Sequence, residues 1–154
     1  MNLITISVNT WEKYRRPVMD FVKRYDTSEQ RVYKRLFRMR KHHLNEPGTC
    51  LKVVYWEGKI IAVAAVTNYG ISFSTLLVSP KYRHSHIQTT LLSSFVDDLG
   101  VCYQKIRYDD EVAIKMALQA GLVCFSYIKG NEESVYLWFG GGHWHSDDVT
   151  EKEA

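Results

Sequence analysis

Apolar and polar positions alternate with two periods along this chain, and the points where the period changes mark out its elements. Residues 3–8 alternate well enough for a strand. Asn9 or Thr10 can cap a helix over 11–24; Pro17 lies inside it, so the alternatives are a helix from Trp11 and one that starts near that proline or kinks there. Thr27 or Ser28 can cap a second helix reaching about His43. Val32, Leu36, Met39 and His43 share one face of it, flanked by Tyr33 and Phe37, and Asn45-Glu46-Pro47-Gly48 ends it. Strands follow over 51–56 and 59–68, joined by the hairpin signal Glu57-Gly58, and Tyr69-Gly70 turns into a third over 71–78. Ile87, Leu91, Leu92, Phe95, Val96 and Leu99 give the helical period again over 86–99, with Ser85 and Gln88 as a capping box. A strand over 101–108 precedes a helix opened by Asp109-Asp110-Glu111, packed through Ala113, Ala117 and Ala120 and closed by Gly121. Strands over 122–128 and 134–139 form a last hairpin around Lys129-Gly130-Asn131. The expected order is β-α-α-β-β-β-α-β-α-β-β, an α+β fold.

Composition narrows the class. A chain of 154 residues with 45% hydrophobic and 13% aromatic content can bury one sizeable core. No apolar run approaches the roughly 20 residues of a membrane span. The first residues read as a strand rather than a signal peptide, so a cytoplasmic protein is expected. Cys50, Cys102 and Cys124 form no C-x-x-C and read as buried, reduced thiols. The net charge of +3 is uneven: residues 1–48 hold 11 Lys and Arg against 5 Asp and Glu, whereas residues 49–154 hold 9 against 12. One domain is expected over 1–139. Gly140-Gly141-Gly142 then opens a flexible acidic tail over 140–154. His143 and His145 with Asp147 and Asp148 make too weak and unshaped a set for a metal site.

Residues 76–92 carry most of the chemistry. An apolar strand ends at Val78, Pro80 turns the chain, and a basic loop with Arg83, His84 and His86 runs into a helix. The first amides of a helix lack intrahelical acceptors and its dipole favours negative charge there, so the arrangement suits a phosphate. This run resembles the cofactor loop of the GCN5-related N-acetyltransferases, in which a strand ending V-x-P is followed by (Q/R)-x-x-G-x-(G/A). Arg83 takes the first position, while His86 and Gln88 stand in the two glycine places. The element order is that family's too, over about residues 3–139. The resemblance implies a mixed, splayed sheet flanked by helices. It also implies transfer of an acetyl group from acetyl-CoA, or an acyl group from another acyl-CoA, to an amine by direct attack. Cofactor contacts are then expected from Leu77, Val78, Arg83, His84, Ser85, His86, Ile87, Gln88 and Thr89.

A second family pattern, N-x-x-A-x-x-x-Y-x-x-x-G-F, aligns with residues 110–122. Asp110 replaces the Asn, and Ala117 replaces the Tyr that often protonates the departing thiolate. Tyr108 and Tyr127 are candidate substitutes, as well as plain structural aromatics. No carboxylate occupies 72–75; His42 and His43 are candidate bases or simple helix-end residues, and the catalytic groups stay unassigned. Arg31, Lys34, Arg35 and Arg38 on the second helix leave a rival reading open. In it, an inactive protein of this fold engages an acidic protein or a nucleic acid through that helix.

Overall fold

The computed structural model describes residues 1–83 and 86–149. Four strands, β1 (Asn2–Ile6), β2 (Cys50–Trp56), β3 (Lys59–Thr67) and β4 (Phe73–Val78), form an antiparallel sheet in that order. Helices α1 (Trp11–Tyr25) and α2 (Arg31–Phe37) cover one face through Val18, Val22 and Leu36, which meet Leu51, Val53 and Val63. Helix α3 (Ile87–Leu99) covers the other through Leu91 and Phe95, which meet Val54, Ala62 and Ala64. Burial on both faces explains why β2 and β3 read as near-continuous apolar runs. Lys52 is the exception: its Nζ, buried on the α3 side, donates to Thr5 Oγ1 (2.7 Å) and pairs with Asp98 of α3.

The remaining strands, β5 (Val101–Arg107), β6 (Val123–Lys129) and β7 (Val135–Gly142), make a second antiparallel sheet in the order β5-β7-β6. Helix α4 (Glu111–Gln119) seals one face, with Ala117 against Ile106, Leu122 and Phe139. The order of strands and α-helices is the expected one, and the α+β class holds. No ladder joins β4 to β5, so the splay divides the structure into two hydrogen-bonded sheets. Among the described residues, no helix is long and apolar enough to cross a membrane.

Four expectations are decided or changed. First, of the two forms expected for α1, the one that starts at Trp11 and runs through Pro17 is present. Second, α2 holds only seven residues; it does not begin at Thr27 or Ser28, because Glu29 and Gln30 are left-handed (φ 56° and 67°). Its entry is held by Asp26, whose carboxylate accepts from Ser28 N (2.9 Å), the Ser28 hydroxyl and Tyr33 N (3.0 Å). The chain then reforms as a separate 3-10 segment, Lys41–Asn45. Third, the glycine run is no tail: Gly140, Gly141 and Gly142 pair with Tyr103, Cys102 and Val101. A Cβ on Gly140 or Gly141 would stand 2.6 Å from Trp144 Cβ or 2.9 Å from Val96 Cγ2, so both glycines exist to admit those neighbours. Trp144 stacks on Phe125 at 4.9 Å. The Tyr103 hydroxyl accepts from His145 N (2.9 Å) and donates to Asp148, and burial followed by that carboxylate pushes it up to about 12. Ordered packing therefore continues past 139, and residues 150–154 of the expected tail lie outside the described residues. Fourth, Cys50 and Cys102 are buried but Cys124 is exposed, since β6 is an outer strand.

Burial pushes the Asp26 carboxyl up, but its hydrogen bonds from Ser28, Tyr33 and Val32 outweigh this and leave it below the ordinary aspartate value. A depressed carboxylate contributes stability that is present above its unfolded pKa and lost as pH falls through the folded one. Asp26→Ala is therefore expected to lower stability at neutral pH by about 1 kcal/mol, as for a lost helix cap. Urea titrations of both proteins should show that gap closing below about pH 4.

Candidate functional site

Strands β4 and β5 touch at one end and part at the other. At the joined end Ser74 Oγ donates to Gln104 Oε1 (3.0 Å), and Gly70 lies against the Tyr103 carbonyl. Beyond it β4 has a free edge. Ser79 N donates to Ile61 O (2.8 Å), so these residues form a hydrogen-bonded pair in register with β3–β4. Such pairs alternate along an antiparallel ladder. Thr75 and Leu77 therefore turn their backbone groups to β3, while Ser74, Leu76 and Val78 turn theirs to the free edge. Of the two expected strand contacts, Val78 offers its backbone to that edge; Leu77 does not.

Past Val78 the chain forms a 3-10 turn, Pro80–Tyr82, with Arg83 N reaching Pro80 O at 3.4 Å. Arg83 and His86 are exposed and Ile87 is buried. Helix α3 begins at Ile87, and its first backbone bond runs from Thr90 N to His86 O (3.0 Å). That geometry leaves the amides of Ile87, Gln88 and Thr89 without intrahelical acceptors. His86 lines a cavity of about 350 Å³ with Met1, Leu3, Val54, Ile87 and Thr90, on the β1 side of the helix. His84 and Ser85, and with them half of the expected capping box, lie outside the described residues.

Two further clefts, of about 530 and 550 Å³, run between α2 and the start of β4 and share Arg35 and Ser72. One extends past Arg38, His43 and Glu46; the other reaches Ser74 and Lys105, on either side of the β4–β5 junction. Arg31 lines the second, and Lys34 lines neither. The candidate bases separate. His42 borders a different cavity, beside Trp11 and Arg15, whereas His43 enters the cleft with its Nδ1 accepting from Arg40 N (2.8 Å). The candidate acids separate too. Tyr108 is exposed at the end of β5, but Tyr127 belongs to β6, two strands and about 10 Å from β5. Burial pushes the Cys102 thiol up to about 11, which keeps it un-ionised beside Gln104. Glu46, in sequence part of the turn that ends the second helix, is the one carboxylate among the described residues that lines either cleft, and only the tertiary fold brings it there.

No family model matches the sequence, and no curated protein matches it. Solved structures do. A chimera of the spermidine N-acetyltransferase SpeG from Vibrio cholerae with hSSAT superposes with a TM-score of 0.66 at 12% identity, covering 92% of this chain and 96% of that one. A GNAT-family acetyltransferase from Bacillus cereus gives 0.66 at 15% identity, over 94% and 98%. The acetyl-coenzyme A complex of a Bacillus anthracis protein named as a streptothricin acetyltransferase gives 0.55 at 12%, over 67% and 68%.

The fold is that of the GCN5-related N-acetyltransferases.

Against the GNAT pattern, the two substituted positions in α4 have settled structural places. Asp110 caps the helix by accepting from Ala113 N (3.1 Å), and Ala117 is fully buried against the second sheet. Neither leaves a hydroxyl facing the β4–β5 gap. The basic residues do not form a long outward stripe, since seven helical residues span only about 10 Å.

Proposed function

We propose that this chain is an acyl-CoA-dependent N-acyltransferase that works in the cytoplasm, where its free thiols stay reduced. One observation carries the reading: the free edge of β4 leads to the first-turn amides of α3, which have no acceptor within the helix. The backbone groups of Ser74, Leu76 and Val78 would pair with the amide-bearing arm of the CoA thioester, as an added strand would. The amides of Ile87, Gln88 and Thr89, with Arg83, would hold its pyrophosphate. His86 borders the cavity on the β1 side, which is compatible with an unobstructed helix end. Contacts from His84 and Ser85 belong to the same proposal.

The acceptor amine enters through the α2–β4 cleft. Its nitrogen attacks the thioester carbonyl, the C–S bond breaks, and an amide and CoA thiolate form; the proton lost by nitrogen passes through water to the thiolate. A thiolate leaves readily, so a buried Ala117 slows this step without preventing it. The cleft assists nucleophilicity in another way: Arg31 and Arg35 disfavour a further positive charge, which lowers the pKa of a bound ammonium and enriches the neutral amine.

Incubation with acetyl-CoA and a panel of primary amines, read by release of CoA thiol, is expected to show amine-dependent turnover. Calorimetry should show acetyl-CoA binding in the absence of amine. No binding at millimolar acetyl-CoA overturns the proposal.

A further inference from the structure

We infer that the acceptor is an amine carrying a negatively charged group, a carboxylate or a phosphate, held by the α2–β4 cleft. The inference rests on the acyltransferase reading and adds the substrate class. The cleft has unbalanced charge: Arg31, Arg35 and Arg38 line its two halves, and among the described residues Glu46 is the one carboxylate beside them. Among the described residues no carboxylate pairs with Arg31, Arg35 or Arg38. Arg35 is instead positioned by neutral groups, over the Phe73 ring at 5.1 Å and toward Thr67 Oγ1 at 3.4 Å. A guanidinium steadied on a ring keeps its fork of donors for a planar anion.

His43 points to the same ligand. Because Nδ1 accepts from the Arg40 amide, the other nitrogen of the neutral ring carries the proton. His43 therefore meets the cleft as a donor, which suits an anion and removes it as a base. Every one of these groups is cationic or a donor. A polycation such as spermidine has little to gain there, although a spermidine N-acetyltransferase chimera shares the fold. The layout of the cleft separates the roles: the anion rests against the arginines, and the amine reaches past Ser72 toward Ser74.

The test compares O-phosphoethanolamine, glutamate, ethanolamine and spermidine as acceptors for the full chain with acetyl-CoA. At least one of the two anionic amines is expected to exceed ethanolamine and spermidine in kcat/KM by about 10-fold or more, and their ratio identifies the anion. Arg38→Ala and Arg35→Ala should each reduce that value by about 10- to 100-fold, mainly through the acceptor KM. Acetyl-CoA affinity by calorimetry and Tm should stay at wild-type values in both. Arg38→Glu should move the preference toward spermidine. A protein that binds acetyl-CoA yet prefers spermidine or ethanolamine, or leaves both anionic amines unacetylated, overturns this inference while the acyltransferase reading stands. Failure to bind acetyl-CoA overturns both.

Discussion

Gly70→Ala is expected to destabilise the protein by about 3 kcal/mol, from a strained backbone of about 1 kcal/mol and a forced rearrangement of about 2. Gly70 has φ +94°, and a Cβ built there stands 2.0 Å from the Tyr103 carbonyl oxygen and 3.0 Å from its carbon. The obstacle is backbone of a paired strand, so it cannot rotate away as a side chain would. Relief requires the turn before β4 to lift from β5, which opens the junction between the two sheets. Gly58→Ala is the control, because Gly58 is also left-handed (φ +77°) but meets nothing within 4 Å. Urea denaturation of both variants separates the two contributions. Equal losses would show that contact with Tyr103 costs nothing and that the junction is loose.

Gln88→Glu is expected to leave stability unchanged or slightly raised while weakening acetyl-CoA binding by about 10-fold or more. Gln88 is the second residue of α3, where a carboxylate gains about 0.3–1 kcal/mol from the helix dipole. The same charge beside a pyrophosphate is repelled. At about 4 Å and an effective dielectric near 20, one pair of unit charges costs about 4 kcal/mol before salt screening. The opposite directions of the two effects keep misfolding from imitating the result. Calorimetry at two salt concentrations should find the loss smaller at high salt. Binding as tight as wild type would mean that the pyrophosphate does not sit on this helix end.

Much of the candidate cofactor seat was legible because it depends on neighbours in sequence. The period from Ile87 to Leu99 placed α3, and the apolar run to Val78 with Pro80 placed the end of β4. Which of those strand residues faces the free edge was not legible: Leu77 and Val78 differ only by the phase of the β3–β4 ladder, which Ser79–Ile61 sets. The start of α2 was misjudged for a related reason. Thr27 and Ser28 are good caps by type, yet the Asp26 carboxylate takes the amides of Ser28 and Tyr33 across a left-handed turn at Glu29 and Gln30. A spacing of seven residues between acceptor and donor escapes rules written for one helical turn. Tyr127 could not be dismissed by inspection either, because nothing local says that β7 inserts between β5 and β6.

The glycine run at 140–142 reads as flexible when taken alone, since glycine lacks a side chain to pack. In the fold that absence is what is used, because Trp144 and Val96 occupy the space a Cβ would take. The sequence by itself determined the order of the elements, the period of α3 and the positive charge of residues 1–48. Those follow from periodicity and ionisation, whose energies act within a few residues. Tertiary structure alone decided the strand order, the splay between β4 and β5 and the gathering of Arg31, Arg35 and Lys105 around one cleft. Arg35 and Lys105 are 70 residues apart, and only the pairing of strands and the packing of α2 on them brings such charges together.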